Sequence, residues 1–181
     1  MPMRRIVIPF IVVLALAIPT LAIARSGTTF RAQLKELNGS GVSGTIWVTQ
    51  SGDTLTVTLE ATGLEPVQSH LRHIHGQGDG VSNAGASGVQ MSKCPTPAAD
   101  ANGNGLVEFA EGLSDYGGVA QDLGTFSTPT GSVSLTTTLT GVDLSDLLPL
   151  DSRAIVIHGL TVDGTYIPSL PVACGQLHAQ G

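Results

Sequence analysis

The sequence predicts an all-β fold, a Greek-key barrel or sandwich with long loops, and three observations lead there. Aromatic residues make up only 4% of the chain while glycine and threonine abound. No long stretch repeats its apolar residues every 3.6 positions. Several short segments instead alternate apolar and polar residues with a period of two, the signature of a strand with one buried face.

The segments follow in order. Thr28–Leu37 opens the domain. Gly44–Thr49 alternates Ile46 and Val48, and Thr54–Ala61 puts Leu55, Val57 and Leu59 on one face. Gln50-Ser51-Gly52-Asp53 between them reads as a hairpin turn, since Gly and Asp tolerate positive φ. Leu71–His75, Ser132–Leu139, Ala154–His158 and a short strand near Val172–Leu177 complete a set of about seven, enough for a sandwich or barrel. Two stretches rich in turn residues, 76–130 and 141–151, interrupt the rhythm, the second with one helical turn expected at Asp143–Asp146. Asn38-Gly39-Ser40 forms a glycosylation triplet, relevant only in a host that glycosylates exported chains.

The N-terminus carries Arg4 and Arg5, an apolar run from Ile6 to about Leu21, and small residues at Ala22 and Ala24. This pattern predicts a signal peptide over residues 1–24 and a mature domain over 25–181, secreted or held in the periplasm or cell envelope. The alternative, an uncleaved membrane anchor, is opposed by Pro9 and Pro19. Cleavage leaves six basic residues against fourteen acids, a net charge near −8. Such a chain is not expected to seek nucleic acid or an anionic membrane surface. Its roughly 157 residues suffice for one domain with a real core. Two cysteines in an exported chain are expected to pair. A Cys94–Cys174 bridge closes a loop of about 80 residues, worth roughly 4 kcal/mol in the chain-entropy account.

Residues 100–111 read Asp-Ala-Asn-Gly-Asn-Gly-Leu-Val-Glu-Phe-Ala-Glu and fit the constrained positions of an EF-hand calcium loop. Asp100, Asn102 and Asn104 offer side-chain oxygens at alternate positions and Gly105 makes the sharp turn. Leu106 offers its carbonyl, Glu108 acts directly or through water, and Glu111 closes the site with two oxygens. Pro95 and Pro97 argue against an entering helix, whereas Glu108–Leu113 is expected to start an exiting one, ended by Gly117-Gly118. Two acids and two amides, with Glu108 a partial contributor, imply a dissociation constant on the order of 10⁻⁵ to 10⁻³ M. Phe109, Leu113 and Tyr116 are expected to form the loop's own small core.

Four of the five histidines fall in two strand segments, His70, His73 and His75 in one and His158 in the other, with His178 near the terminus. Two positions apart on a strand, His73 and His75 project from the same face, where a third imidazole such as His158 could complete a metal site. Taken alone, a His-x-His pair is weaker evidence for a metal than for two solvated or hydrogen-bonded histidines.

At these residues the chain resembles copper/zinc superoxide dismutase. The similar pieces are Gly41-Val-Ser-Gly-Thr-Ile-Trp47, Leu55–Leu59, Gly63-Leu64, His70-Leu-Arg-His73-Ile-His75, Arg153-Ala-Ile-Val-Ile-His158 and Val172-Ala-Cys174-Gly175, in the family's order. The resemblance implies an eight-stranded Greek-key barrel, a Cys94–Cys174 disulfide, copper ligation by His73, His75 and His158, and a bracing role for His70. The His-Ile-His-Gly segment after a Gly-Leu strand also looks like the CHRD domain, an all-β module. The departures are specific. Asp100 stands where the family has its bridging histidine, the 76–130 stretch holds no further histidine, so no zinc is expected, and Pro171-Val172 occupy the place of the catalytic arginine. The expectation is an exported metal-binding domain with calcium in its loop and copper on its histidines, no assigned catalytic residue, and poor dismutation. A zinc-lacking copper dismutase and a calcium-dependent adhesion or matrix module are the alternatives.

Overall fold

The computed structural model describes residues 27–78, 88 and 90–181; the expected signal peptide lies outside them. Nine strands and one helix follow in order: β1 Thr28–Glu36, β2 Ser43–Ser51, β3 Thr54–Thr62, β4 His70–Gly76, α1 Phe109–Tyr116, β5 Gly118–Phe126, β6 Val133–Leu139, β7 Ala154–Val162, β8 Thr165–Gln176 and the short β9 His178–Ala179. All pairings are antiparallel. The eight long strands run β5-β4-β7-β8-β1-β2-β3-β6 in one barrel-shaped sheet, with β9 added to β1. The order makes the chain cross the barrel's ends between β3 and β4 and again between β6 and β7, the Greek-key arrangement expected of the fold class.

Alternation puts one face of each strand inside. Ile46 and Val48 of β2, Leu55, Val57 and Leu59 of β3, Ile74 of β4 and Ile155 and Ile157 of β7 are fully buried in one core. Each such side chain contributes about 1.5–3 kcal/mol relative to exposure. The β2–β3 turn is the predicted hairpin, with Gly52 at φ +60. A smaller apolar cluster sits outside the barrel wall, where Tyr116 of α1 meets Ala154, Val156 and Cys174. The cysteines are bridged, Cys94 to Cys174, with their Cα atoms 5.6 Å apart. The bridge ties the segment ahead of residues 100–111 to β8.

Three sequence expectations are corrected. The 76–130 stretch contains a strand, β5, paired with β4 through registers such as His73 with Asp122. Strands β7 and β8 are longer than expected because Asp163 and Gly164, at φ +49 and +80, turn one into the other as a hairpin. The helical turn expected at Asp143–Asp146 lies one residue on, at residues 144–148, where the Leu147 and Leu148 amides donate to the Leu144 carbonyl at 3.2 and 3.0 Å; Asp143 accepts from the Ser145 amide, and a 3₁₀ turn follows at Leu150–Ser152. Among the described residues no helix is long and apolar enough to cross a membrane.

Candidate metal centre

Strand β4 divides its histidines by parity. His70, Arg72 and Ile74 belong to one face, with Ile74 in the barrel core, while His73 and His75 lie on the other. Strand β7 is its neighbour, His73 opposite Val156 and His75 opposite Ala154. His158 shares the outer face with those two residues, so the sheet itself delivers three imidazoles to one spot. Their facing nitrogens lie within 4.8 Å of one another. Nδ1 of His73 is 3.3 Å from Nε2 of His158.

The opposite side of each ring decides which nitrogen faces inward. His75 donates from Nδ1 to the Gly117 carbonyl at 3.0 Å, and His158 donates from Nδ1 to the Ser169 carbonyl at 2.9 Å. A neutral ring so committed keeps its lone pair on Nε2. His73 turns Nε2 toward the Asp122 carboxylate, 3.7 Å away. Gly117 makes the first of these bonds possible. Its φ is +83, and a Cβ there would run into the Gly76 carbonyl.

Burial keeps the rings uncharged. His75 and His158 are 0% and 1% exposed. Desolvation pushes His75 down to about 4, against the Gly117 hydrogen bond, and pushes His158 down to about 3, with the neighbouring imidazoles adding to the fall. His73 is also lowered by burial, opposed by Asp122. The result is an arrangement of three neutral imidazoles whose inward nitrogens meet in a largely buried place, those of His73 and His158 within hydrogen-bonding distance of each other. Nε2 of His75 has no hydrogen-bond partner at all. An orphaned buried acceptor of this kind costs about 1–3 kcal/mol. A soft or borderline cation that accepts nitrogen donors answers all three rings at once, so the residues present fit copper.

His70 holds the site from behind. Its ring bridges the carbonyls of Glu65 and of His158 itself, each at 3.1 Å, which fits the bracing role the resemblance implied. The two buried arginines take no part. Arg153 is consumed by the carbonyls of Leu147, Asp146 and Gln77; Arg72 donates from Nη2 to Thr137 and lies over the Phe126 ring, with Nε and Nη1 buried and without hydrogen-bond partners.

The polar part of the 100–111 loop, residues 101–105, is exposed, and the segment meets the triad through Phe109. Asp100 turns its carboxylate onto the amides of Gly103, Asn104 and Gly105 at 2.8–3.2 Å. Asn102 accepts from the Asn104 amide and Asn104 from the Leu106 amide, while both side-chain amides donate to Glu108. Glu111 accepts from Ala101, Asn102 and Glu108, forming with Glu108 the capping box of α1. The predicted oxygens therefore converge around one loop, with Gly105 at φ +85, and they are occupied by the chain's own donors. The segment ahead is a single 3₁₀ turn, Pro97–Ala99, and the exiting helix is α1, running on to Tyr116.

Three contributors are not legible in the sequence. Asp122 was hidden with β5. The acceptors of Gly117 and Ser169 are backbone atoms that no residue letter announces. Phe109 and Tyr116 reach beyond the loop onto the histidines, Phe109 with ring centres 6.0 Å from His75 and 5.9 Å from His158, Tyr116 at 4.6 Å from His75. Asn38 is spent on Val107 and Pro171, so its amide is not a free glycosylation acceptor in the folded domain.

A family model described as copper/zinc superoxide dismutase matches residues 42–176, a span that holds the three histidines, both cysteines and the 100–111 loop. No curated protein matches the chain significantly.

Proposed function

The chain belongs to the copper/zinc superoxide dismutase family, and we propose that it is an exported metal-binding domain that holds copper through His73, His75 and His158 and dismutes superoxide poorly. The observation that carries the copper reading is the pairing of commitments on each ring. The outer nitrogens of His75 and His158 donate to carbonyls, and the inner ones converge with His75 Nε2 left unpartnered and buried. Copper bound there would supply one-electron redox chemistry. The chain's own part is to orient the rings and to keep them neutral and dry.

Poor dismutation is supported by what surrounds the triad. Superoxide is an anion, and cations near a site draw it in. Here Pro171 pairs with His158 in the place the family gives its arginine. Asp122, 69% exposed, puts a negative charge beside His73. Arg72 and Arg153 are buried, and Arg153 is committed to backbone carbonyls.

The loop at 100–111 is read as a calcium site of modest affinity, with Asp100, Asn102, Asn104, Leu106, Glu108 and Glu111 as ligands. Its support is the ligand spacing, the turn at Gly105 and the helix that starts at Phe109. Calcium there would hold the long segment between Cys94 and β5 in one shape. Export accords with the disulfide.

The test is the metal content of residues 25–181 purified without chelator, measured by mass spectrometry. Copper near one per chain, absent from His75→Ala, is the expected result. Calcium without copper would refute the histidine assignment and leave a calcium-stapled barrel. One observation favours the zinc-lacking dismutase as a second reading, because the side chain of His73 keeps 14% exposure and leaves an edge open to a small anion. Superoxide consumption well above free-copper controls, abolished in His73→Ala, would establish it.

A further inference from the structure

We propose that Phe109 sets the metal selectivity of the triad, as an apolar wall that confines the site to three nitrogen ligands and so favours the cuprous ion over zinc. The proposal rests on the copper reading of the same histidines.

Phe109 is the first residue of α1, and several contacts fix where it stands. Asn38 grips the preceding segment, donating to the Val107 carbonyl at 3.0 Å and accepting from the Val107 amide at 2.7 Å. Glu108 and Glu111 close the helix start as a capping box. Tyr116, two turns on and fully buried, lies on the same side of the helix and donates its hydroxyl to the Phe109 carbonyl at 2.7 Å. Its ring is 6.3 Å from that of Phe109. Gly112 lets the Tyr116 ring lie flat against the helix, since a Cβ there would strike it.

The helix therefore presents hydrocarbon to two of the three rings. Phe109 lies against both His75 and His158, and Tyr116 stacks edgewise on His75. Among the described residues no further His, Cys, Asp or Glu joins the group of three. Asp100, which comes from the same segment as Phe109, spends its carboxylate on its own loop. The exposed approach is along His73.

Such a site treats cations differently. Zinc keeps four ligands in a tetrahedron, so three imidazoles leave it in need of a water and of room to hold one. As a dication it also costs more than a monocation to bring among three neutral, mostly buried rings, with Asp122 the carboxylate at the solvent edge. A cuprous ion carries one charge and is content with three nitrogen donors. Removing the wall should admit water and relax the preference.

The experiment compares the wild-type chain with Phe109→Ala and Phe109→Leu. Cuprous affinity is read by competition with a chromophoric chelator under reducing conditions and zinc affinity by competition with a fluorescent one. The expected result is a ratio of cuprous to zinc affinity that falls about tenfold or more in Phe109→Ala, as a fourth position opens, and is restored in Phe109→Leu. Should the alanine variant fail to fold by circular dichroism, Phe109→His carries the test, because a donor in place of the wall should strengthen zinc binding. An unchanged ratio in Phe109→Ala, or in Phe109→His where that variant carries the test, with copper still bound and still lost in His75→Ala, would overturn the wall while leaving the triad standing. Wild-type protein that binds no copper would overturn both.

Discussion

The histidine triad and the 100–111 loop share one short helix, whose start closes the loop while its Phe109 and Tyr116 pack on the histidines, and they meet their polar groups in opposite ways. The triad is largely buried; the inward Nε2 of His75 finds no partner in the protein, while Nδ1 of His73 and Nε2 of His158 meet only each other, at 3.3 Å. The loop is wet, and its carboxylates and amides already accept or donate within the loop. An unmet buried acceptor makes a ligand stabilising, by about 1–3 kcal/mol, whereas a satisfied loop at the surface can stand with or without a cation. On the proposed readings, copper would stabilise the outer face of β4 and β7, and calcium would add to a segment that closes by itself.

The largest effect expected follows from removing one member of the triad. His158→Ala deletes a ligand and leaves the Ser169 carbonyl without its donor, so copper per chain should fall to background after dialysis, with about 1–3 kcal/mol of stability lost from the apoprotein. Glu111→Gln should leave copper per chain unchanged. A loop variant that strips copper as thoroughly as His158→Ala would break the comparison, because it would make the two sites one.

Acid should separate the two regions next. In the unfolded chain the histidines take up protons near their ordinary 6.5, whereas in the fold His75 waits until about 4 and His158 until about 3. The unfolded state therefore binds more protons through that window, and stability falls as pH falls from 6.5 toward 3. Each ring that stays neutral while its unfolded counterpart is charged costs about 1.4 kcal/mol for every pH step below 6.5. Urea denaturation of the apoprotein should accordingly show a loss of several kcal/mol between about pH 7 and 4. Copper-loaded protein should hold its midpoint further into acid until the metal leaves. Apoprotein stability that stays flat across this range would mean that the rings are not buried neutral.

What was legible in the sequence tracks the same physics. Strands with a continuous buried face announced themselves, as Leu55, Val57 and Leu59 do. Strand β5 did not, since only Leu123 and Phe126 among its larger side chains are buried and Gly118, Asp122 and Gly124 break the alternation. The hairpin of β7 and β8 is marked by Asp163-Gly164, a turn signal that the strand assignment overlooks. His73 and His75 were legible as a pair from their spacing and His158 as a candidate third ring, but the resemblance was needed to single it out as a ligand, because strand pairing between β4 and β7 is a long-range fact. The ring orientations rest on backbone carbonyls of Gly117 and Ser169, whose acceptor role the residue letters do not announce.

The loop should respond to Glu111→Gln in its own terms. Replacing a two-oxygen carboxylate by one neutral carbonyl removes a charge and a ligand, so a calcium titration should weaken by on the order of ten- to a hundredfold if the loop takes the cation. The capping box loses one of its two oxygens as well, a small loss of helix stability without calcium. An identical calcium isotherm would remove the ion from the loop and leave Glu111 as a helix cap only.

The smallest effect sharpens the comparison at the edge where the dry site meets water. Asp122 is exposed, and its carboxylate is steadied by the Gly124 amide at 2.7 Å while it faces His73 Nε2 at 3.7 Å. At that distance it orients the ring and favours a proton on Nε2, which frees Nδ1 for the interior. Asp122→Asn should therefore lower copper affinity by about tenfold at most, at the weak end of what outer carboxylates contribute to metal sites. Because the pair lies partly in solvent, wild-type affinity should approach that of the variant as salt is raised, while the interior rings respond little. A variant that matches the wild type at low salt would show that packing against β5 alone orients His73, and the line between the satisfied surface and the demanding interior would then run outside the ring.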